Sequence, residues 1–264
     1  MRIAVITDPI RSRITQFDPH SRRRNELTRK AVSKALLDLG HSVHTIEVGP
    51  NILYEIEAVH PDVMFNIANG YNSKKQQANV AAMLELTDIP FTGSEARTHV
   101  FALYKDITKI LLQHRHVPTP EFIVVHSPEE LDSFPSEGRL PGPVIVKPSA
   151  EGSSVGIHAN SVAHRFEEVR RLVFNLIETV GPPIMIERFI PGREFTVALV
   201  GYPEPTVLPI KEILLDEEVL YTYEVKTADK VLSVCPAEIS SELTQEIQDL
   251  ALESFAAIGC RDIA

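Results

Sequence analysis

Cysteine is nearly absent from this sequence: Cys235 and Cys260 are the only two in 264 residues. Two thiols cannot build a disulfide framework, and their spacing is not that of metal ligands, so both are expected to be small buried side chains. Long apolar runs are missing as well. None approaches the roughly 18 residues of a membrane span, and the opening "MRIAVITDP" enters a β-branched segment without a charged and apolar leader. A cytoplasmic chain with no membrane partner is expected. Positive charge is in deficit, with 26 Lys and Arg against 36 Asp and Glu and a net charge of −10. Nucleic-acid binding needs a concentrated basic face, so no nucleic-acid partner is expected. The one basic cluster, around Arg22, Arg23 and Arg24, precedes a helical pattern and reads as a solvated loop and helix entry. Internal repeats and low-complexity tracts are also absent.

The order of elements carries the fold. "RIAVIT", "HSVHTIEV" and "DVMFNIA" are short strand-like runs. Between the first two, Leu27, Ala31, Ala35, Leu36 and Leu39 recur at helical spacing before Gly40. "NILYEIEAV" reads as a short helix, and Val80, Met83, Leu84 and Leu86 mark another. Strands alternating with helices imply βαβ units and a parallel sheet, hence a Rossmann-like α/β domain over 1–94. In such sheets ligand groups gather at the carboxyl ends of strands, here near Asp8 and Asn66 to Gly70. Beyond Gly93 the rhythm changes. Helical runs near 95–102 and 105–115 lead to the strand "EFIVV", and "HRFEEVRRLVFNLIETV" is an amphipathic helix. From residue 184 the pattern is strand-rich until a last helix near 241–258. These divisions suggest a second domain over 95–183 and a third over 184–264.

The stretch "VIVKPSAEGSSVGI", residues 144–157, concentrates the chemistry. Lys147 ends an apolar strand, where an ammonium is costly to bury without a negative partner. Gly152 and Gly156 let backbone amides approach an anion, and Ser153 and Ser154 add hydroxyl donors. The loop is neither GxxxxGK(S/T) nor GxGxxG, so it is not a P-loop or a dinucleotide fingerprint. By itself it reads equally as a glycine hairpin beside a solvated lysine.

The same stretch closely resembles the signature of the D-alanine–D-alanine ligases, members of the ATP-grasp superfamily. The resemblance continues through "AAMLELTDIPFTGS", "YKDITKILLQHRHVPTPEFIVV", "IMIERFIPGREFTVALVG", "YTYEVKTA", "CPAEI" and "LALESFAAIGCRDIA", in order, from about residue 62 to the end. It implies a Rossmann-like domain followed by an ATP-grasp fold, with ATP between two antiparallel sheets. It makes Lys105 and Lys147 the lysines that reach the phosphates, and Gly152, Ser153 and Ser154 the loop that closes over them. Glu187 matches the carboxylate facing the adenine amino group, followed by Arg188 where the family usually has lysine. Ile190 falls in the hinge lining the adenine, Glu194 matches the carboxylate on the ribose, and Lys226 the lysine shielding the γ-phosphate. Ser153 and Lys226 carry the catalytic roles. The implied reaction is ATP-dependent and magnesium-assisted joining of two amino acids through an acyl phosphate, in peptidoglycan precursor synthesis, and family members are commonly homodimers.

The sequence departs from that family in four places. The closest register puts Arg23 where a substrate-holding glutamate belongs, with Glu26 three residues on. Asn69 stands for a histidine, and Thr227 for the tyrosine that bonds the loop serine, matched here by Ser153. A relative joining other amino acids, or a nucleotide-binding protein without activity, is therefore also expected to fit. Finally, family members continue after "GCRDIA" with Arg-x-Asp and Glu-x-Asn strands that carry the metal ligands. The sequence stops at Ala264, so the ATP-grasp part reads as truncated and no metal ligand is assigned. If these residues are the whole polypeptide, ligase activity is expected to be lost, and robust ATP turnover would contradict that expectation.

Overall fold

The computed structural model describes residues 1–9, 21–71, 76–133, 142–152, 154–215, 220, 222 and 232–264. Contacts divide the chain into two units, Met1–Val100 with Gly259–Ile263, and Phe101–Ile258 with Ala264.

In the first unit, β1 (Arg2–Thr7) lies between β2 (Ser42–Glu47) and β3 (Val63–Asn66), parallel to both. Five successive residues of β1 are buried, the near-continuous run of a parallel strand covered on both faces. Ile6, Ile46 and Met64 pack with Ile52 and Ile56 of α2 (Ile52–Val59) and with Val80 and Leu84 of α3 (Gln77–Glu85). Five side chains expected on apolar helix faces are instead exposed: Leu27, Ala31, Ala35, Leu39 and Leu86. Leu86 caps α3 from outside and is 74% exposed. Helix α1 (Ser21–Asp38) forms as expected, but Leu27 and the following Leu39 are 56% and 72% exposed. Arg23 and Arg24 are exposed on its first turns.

The last residues of the unit return from far along the sequence. Gly93 N–H donates to Asp262 at 2.8 Å, Arg261 N–H to the Ser94 hydroxyl at 3.0 Å, and the Thr98 hydroxyl to the Gly259 carbonyl at 2.7 Å. Cys260 is buried here, as expected. Cys235 corrects that expectation, being exposed where the chain leaves an edge strand.

The second unit is built from antiparallel sheets. After α4 (Ala96–Leu103), which crosses between the units, come α5 (Lys105–His114), β4 (Phe122–Val125), β5 (Val144–Pro148), β6 (Val162–Ala163), α6 (Phe166–Thr179) and β7 (Ile184–Arg188). The four strands pair in the order β4-β7-β5-β6. Helix α6 lays Val169, Leu172, Val173 and Leu176 on Val144, Val146, Ile184 and Ile186. Each such side chain contributes about 1.5–3 kcal/mol by leaving water. Glu168 accepts from the backbone N–H groups of His164 and Arg165 at 2.8 and 3.2 Å, satisfying donors at the helix entry. Further along the chain, β8 (Glu194–Thr196), β11 (Lys211–Leu214) and β12 (Leu232–Val234) form a sheet ordered β12-β11-β8, and β9 (Leu199–Val200) pairs with β10 (Thr206–Val207). Helix α7 (Ser241–Ile258) closes the unit.

Of the two loop glycines, Gly156 is the constrained one. Its φ is +75°, and an added Cβ would stand 2.9 Å from Pro148 Cγ and 3.0 Å from Leu176 Cδ2, whereas Gly152 meets open space. Gly156→Ala is expected to lower stability by about 1–3 kcal/mol through left-handed strain and overpacking, and Gly152→Ala by well under half of that. Chemical denaturation of the two variants measures the difference.

Candidate active site

Alternation along β5 prepares the site. Val144, Val146 and Pro148 are buried, with the two valines in the core against α6, which leaves Ile145 and Lys147 on the opposite face. That face lines a cleft of ≈ 650 Å³ within the second unit. Glu194, Phe195 and Thr196 of β8 and Lys211 and Ile213 of β11 line it as well, with Ser154 of the loop. The cleft therefore lies between two antiparallel sheets, with a cation on each and the Glu194 carboxylate among them. Register sets these neighbours, since Thr196 opposes Lys211 and Glu194 opposes Ile213. Glu212 points the other way and takes a forked pair from Arg193, at 2.6 and 2.7 Å.

Glu187 opposes Ile145 across the β5–β7 ladder and is 8% exposed. Its Oε1 accepts from Lys109 and its Oε2 from Lys147. Burial pushes the carboxyl upward, but the two ammonium groups outweigh it and hold it below the usual carboxylate range. Lys105, at the first turn of α5, donates to the backbone carbonyls of Pro148 at 3.2 Å, Ser149 at 3.5 Å and Glu151. The Ser149 hydroxyl donates to Asp106 at 2.6 Å, and Lys105 N–H to the Ser149 carbonyl at 3.0 Å. The amino end of α5 is thus tied to the strand end from which the glycine loop departs, where helix polarity also favours an anion. Burial, then the neighbouring Lys147 charge, lowers the Lys105 pKa to about 8.

Arg188 ends β7 directly after Glu187, and Ile190 beyond it is 62% exposed. Ser153, Lys226 and Thr227 lie outside the described residues. The structure brings Lys105, Lys147 and Glu187 together and sets Lys147, Ser154 and Glu194 around one cleft. Sequence reasoning missed Lys109 and Lys211. Lys109 falls one turn after Lys105 in α5, and no local signal separates it from a surface lysine. Among the described residues no group of three or more His, Cys, Asp or Glu is placed to hold a metal ion. By themselves the described residues do not fit a magnesium site.

A polar cluster caps the first unit's sheet. Asp8, 7% exposed, follows β1. Its Oδ1 accepts from Asn69 and Gly70 N–H at 2.6 and 2.9 Å, and its Oδ2 from the Asn25 and Asn69 side-chain amides at 2.5 and 3.0 Å. Asn69 Oδ1 in turn accepts from Gln77 at 3.0 Å. From α1, Asn25 reaches this cluster. Glu26 instead pairs with Lys30 at 2.8 Å on an exposed face.

The D-ala D-ala ligase C-terminus family matches residues 111–264, more than half of the chain. The chain belongs to the D-alanine–D-alanine ligase family. A D-alanine–D-alanine ligase of Fervidobacterium nodosum is 31% identical over 88% of this chain and 75% of its own length. The uncharacterized protein y4sG of Sinorhizobium fredii is 32% identical over 89% of this chain and 71% of its own. The crystal structure of D-alanine–D-alanine ligase from Bacillus anthracis complexed with ATP superposes with a TM-score of 0.74 at 19% identity, covering 100% of this chain and 79% of that one. The fold is that of the ATP-grasp D-alanine–D-alanine ligases, α/β throughout, and the reaction class is ligase. No helix among the described residues is long and apolar enough to cross a membrane.

Proposed function

We propose that the second unit's cleft binds ATP and that the chain joins the carboxylate of one amino acid to the amine of another through an acyl phosphate. The observation that carries this reading is the ≈ 650 Å³ cleft with Lys147 and Glu194 on its two sheets, a volume suited to a nucleotide, in a chain of this family. The Lys105 and Lys147 ammonium groups would offset phosphate charge, with the glycine loop closing over it. Glu187 and Glu194 would accept from the adenine amino group and the ribose hydroxyls, and exposed Ile190 would cover the base. Ser153 and Lys226 would complete the lid, which keeps water from the acyl phosphate while the amine attacks its carbonyl carbon and phosphate leaves. Magnesium, a cytoplasmic location, a homodimeric state and a place in peptidoglycan precursor synthesis belong to the same reading.

A second reading within the class, joining amino acids other than D-alanine, is favoured by Asn69. It stands for the family's histidine, and its side chain already bonds Asp8 and Gln77. Phosphate release from ATP with magnesium and candidate amino acids tests both. Release with D-alanine alone supports the first reading and release only with another acceptor the second. No release with any acceptor refutes ligase turnover and leaves nucleotide binding without catalysis.

Lys105 adds a pH dependence. Only its charged form attracts phosphate, so ATP affinity is expected to stay level below its pKa of about 8 and to fall as pH rises above it, by up to about tenfold per pH unit. Titration calorimetry from neutral to alkaline pH measures this, and Lys105→Arg is expected to flatten the profile.

A further inference from the structure

The two lysines on Glu187 are placed differently. Lys147 lines the cleft, with its side chain 17% exposed. Lys109 comes from α5 with its side chain 8% exposed and does not line the cleft. It also donates to the Thr119 hydroxyl, and its ammonium sits 5.1 Å from the centre of the Phe122 ring. Glu187, Thr119 and the ring therefore fix Lys109 from three directions, while Lys147 stands where it can turn toward a ligand. When Lys147 turns to a phosphate, Lys109 is the cation left on Glu187.

We infer that Lys109 is a positioning residue for base recognition, holding Glu187 ionised and in one orientation so that the cleft accepts an amino-bearing purine and rejects a carbonyl-bearing one. This rests on reading Glu187 as the carboxylate that faces the base. An ionised carboxylate accepts from the exocyclic amino group of adenine and still has lone pairs to spare beside its lysines. Guanine carries a carbonyl oxygen at that position, which the same carboxylate repels. Without Lys109, buried Glu187 keeps one hydrogen-bonded counter-charge, Lys147, which the phosphates compete for, and desolvation then favours the neutral acid. A neutral carboxyl can donate to a carbonyl, so discrimination is lost.

Binding of ATP and of GTP to the 264-residue chain, each measured by titration calorimetry beside a thermal melt, tests the inference. Wild type is expected to prefer ATP. Lys109→Met is expected to lose about tenfold or more of that preference, chiefly through weaker ATP binding. Lys109→Arg, which keeps the charge, is expected to retain most of it, and Thr119→Val, which removes one anchor, to lose about two- to threefold. A Lys109→Met chain that folds and keeps the wild-type ratio overturns the inference and shows a purely structural ion pair. Should that variant not fold, an unchanged ratio in Thr119→Val overturns it. Wild-type chain that binds neither nucleotide overturns the ATP reading of the cleft, and the inference with it.

Discussion

Lys147→Met is expected to weaken ATP binding by about a hundredfold while leaving the second unit folded. A hydrogen bond from a charged donor is worth roughly 1.5–3 kcal/mol, and the upper part of that range applies because the contact is sheltered in a cleft. The fold should tolerate the change because Glu187 keeps its bond to Lys109, so no buried carboxylate is left without a partner. Methionine also preserves the apolar stem that lies along β5 beside Ile145. Calorimetry with ATP and a denaturation curve separate the two effects. A loss below about threefold would remove Lys147 from the phosphate site.

Asp8→Ala acts on stability. Asp8 accepts four hydrogen bonds, from Asn25, Gly70 and both the backbone and the side chain of Asn69. Removing it strands those donors at the carboxyl end of the sheet, and each buried donor left unpaired costs about 1–3 kcal/mol. Asn25 can turn to water, so a total of about 3–5 kcal/mol is expected. Asp8→Asn should cost less, since its oxygen still meets the backbone donors while its amide faces the other amides. Urea denaturation checks both, and a cost below about 1 kcal/mol for the alanine variant would show that the loop repairs itself.

Local periodicity made the first unit's parallel sheet readable, because "RIAVIT" is a nearly continuous buried run, "DVMFNIA" is a short apolar run around buried Met64, and the helices between them mark their own ends. It could not say which apolar residues would be covered. Leu27 and Leu86 fit a helical stripe, yet burial depends on a neighbour that only the folded chain supplies. In the site, Lys147, Glu187 and Glu194 were singled out in the sequence through the resemblance to the family, which matches each to one position. Their mutual pairing was not. Lys109 reaches Glu187 across 78 positions, and nothing local distinguishes it from the surface lysines of α1. Asn69 was visible as a departure, but its bonds to Asp8 and Gln77 depend on two elements meeting at one sheet end.

The first unit is written in two pieces, residues 1–100 and 259–263, and this gives it a timetable. At a synthesis rate of roughly 5–20 residues per second, the stitches from Arg261 and Asp262 to Ser94 and Gly93 arrive about ten to thirty seconds after Val100. Until then the nascent sheet holds its parallel strands without its closing segment. The earlier-made unit therefore waits for residues made after nearly all of the second unit.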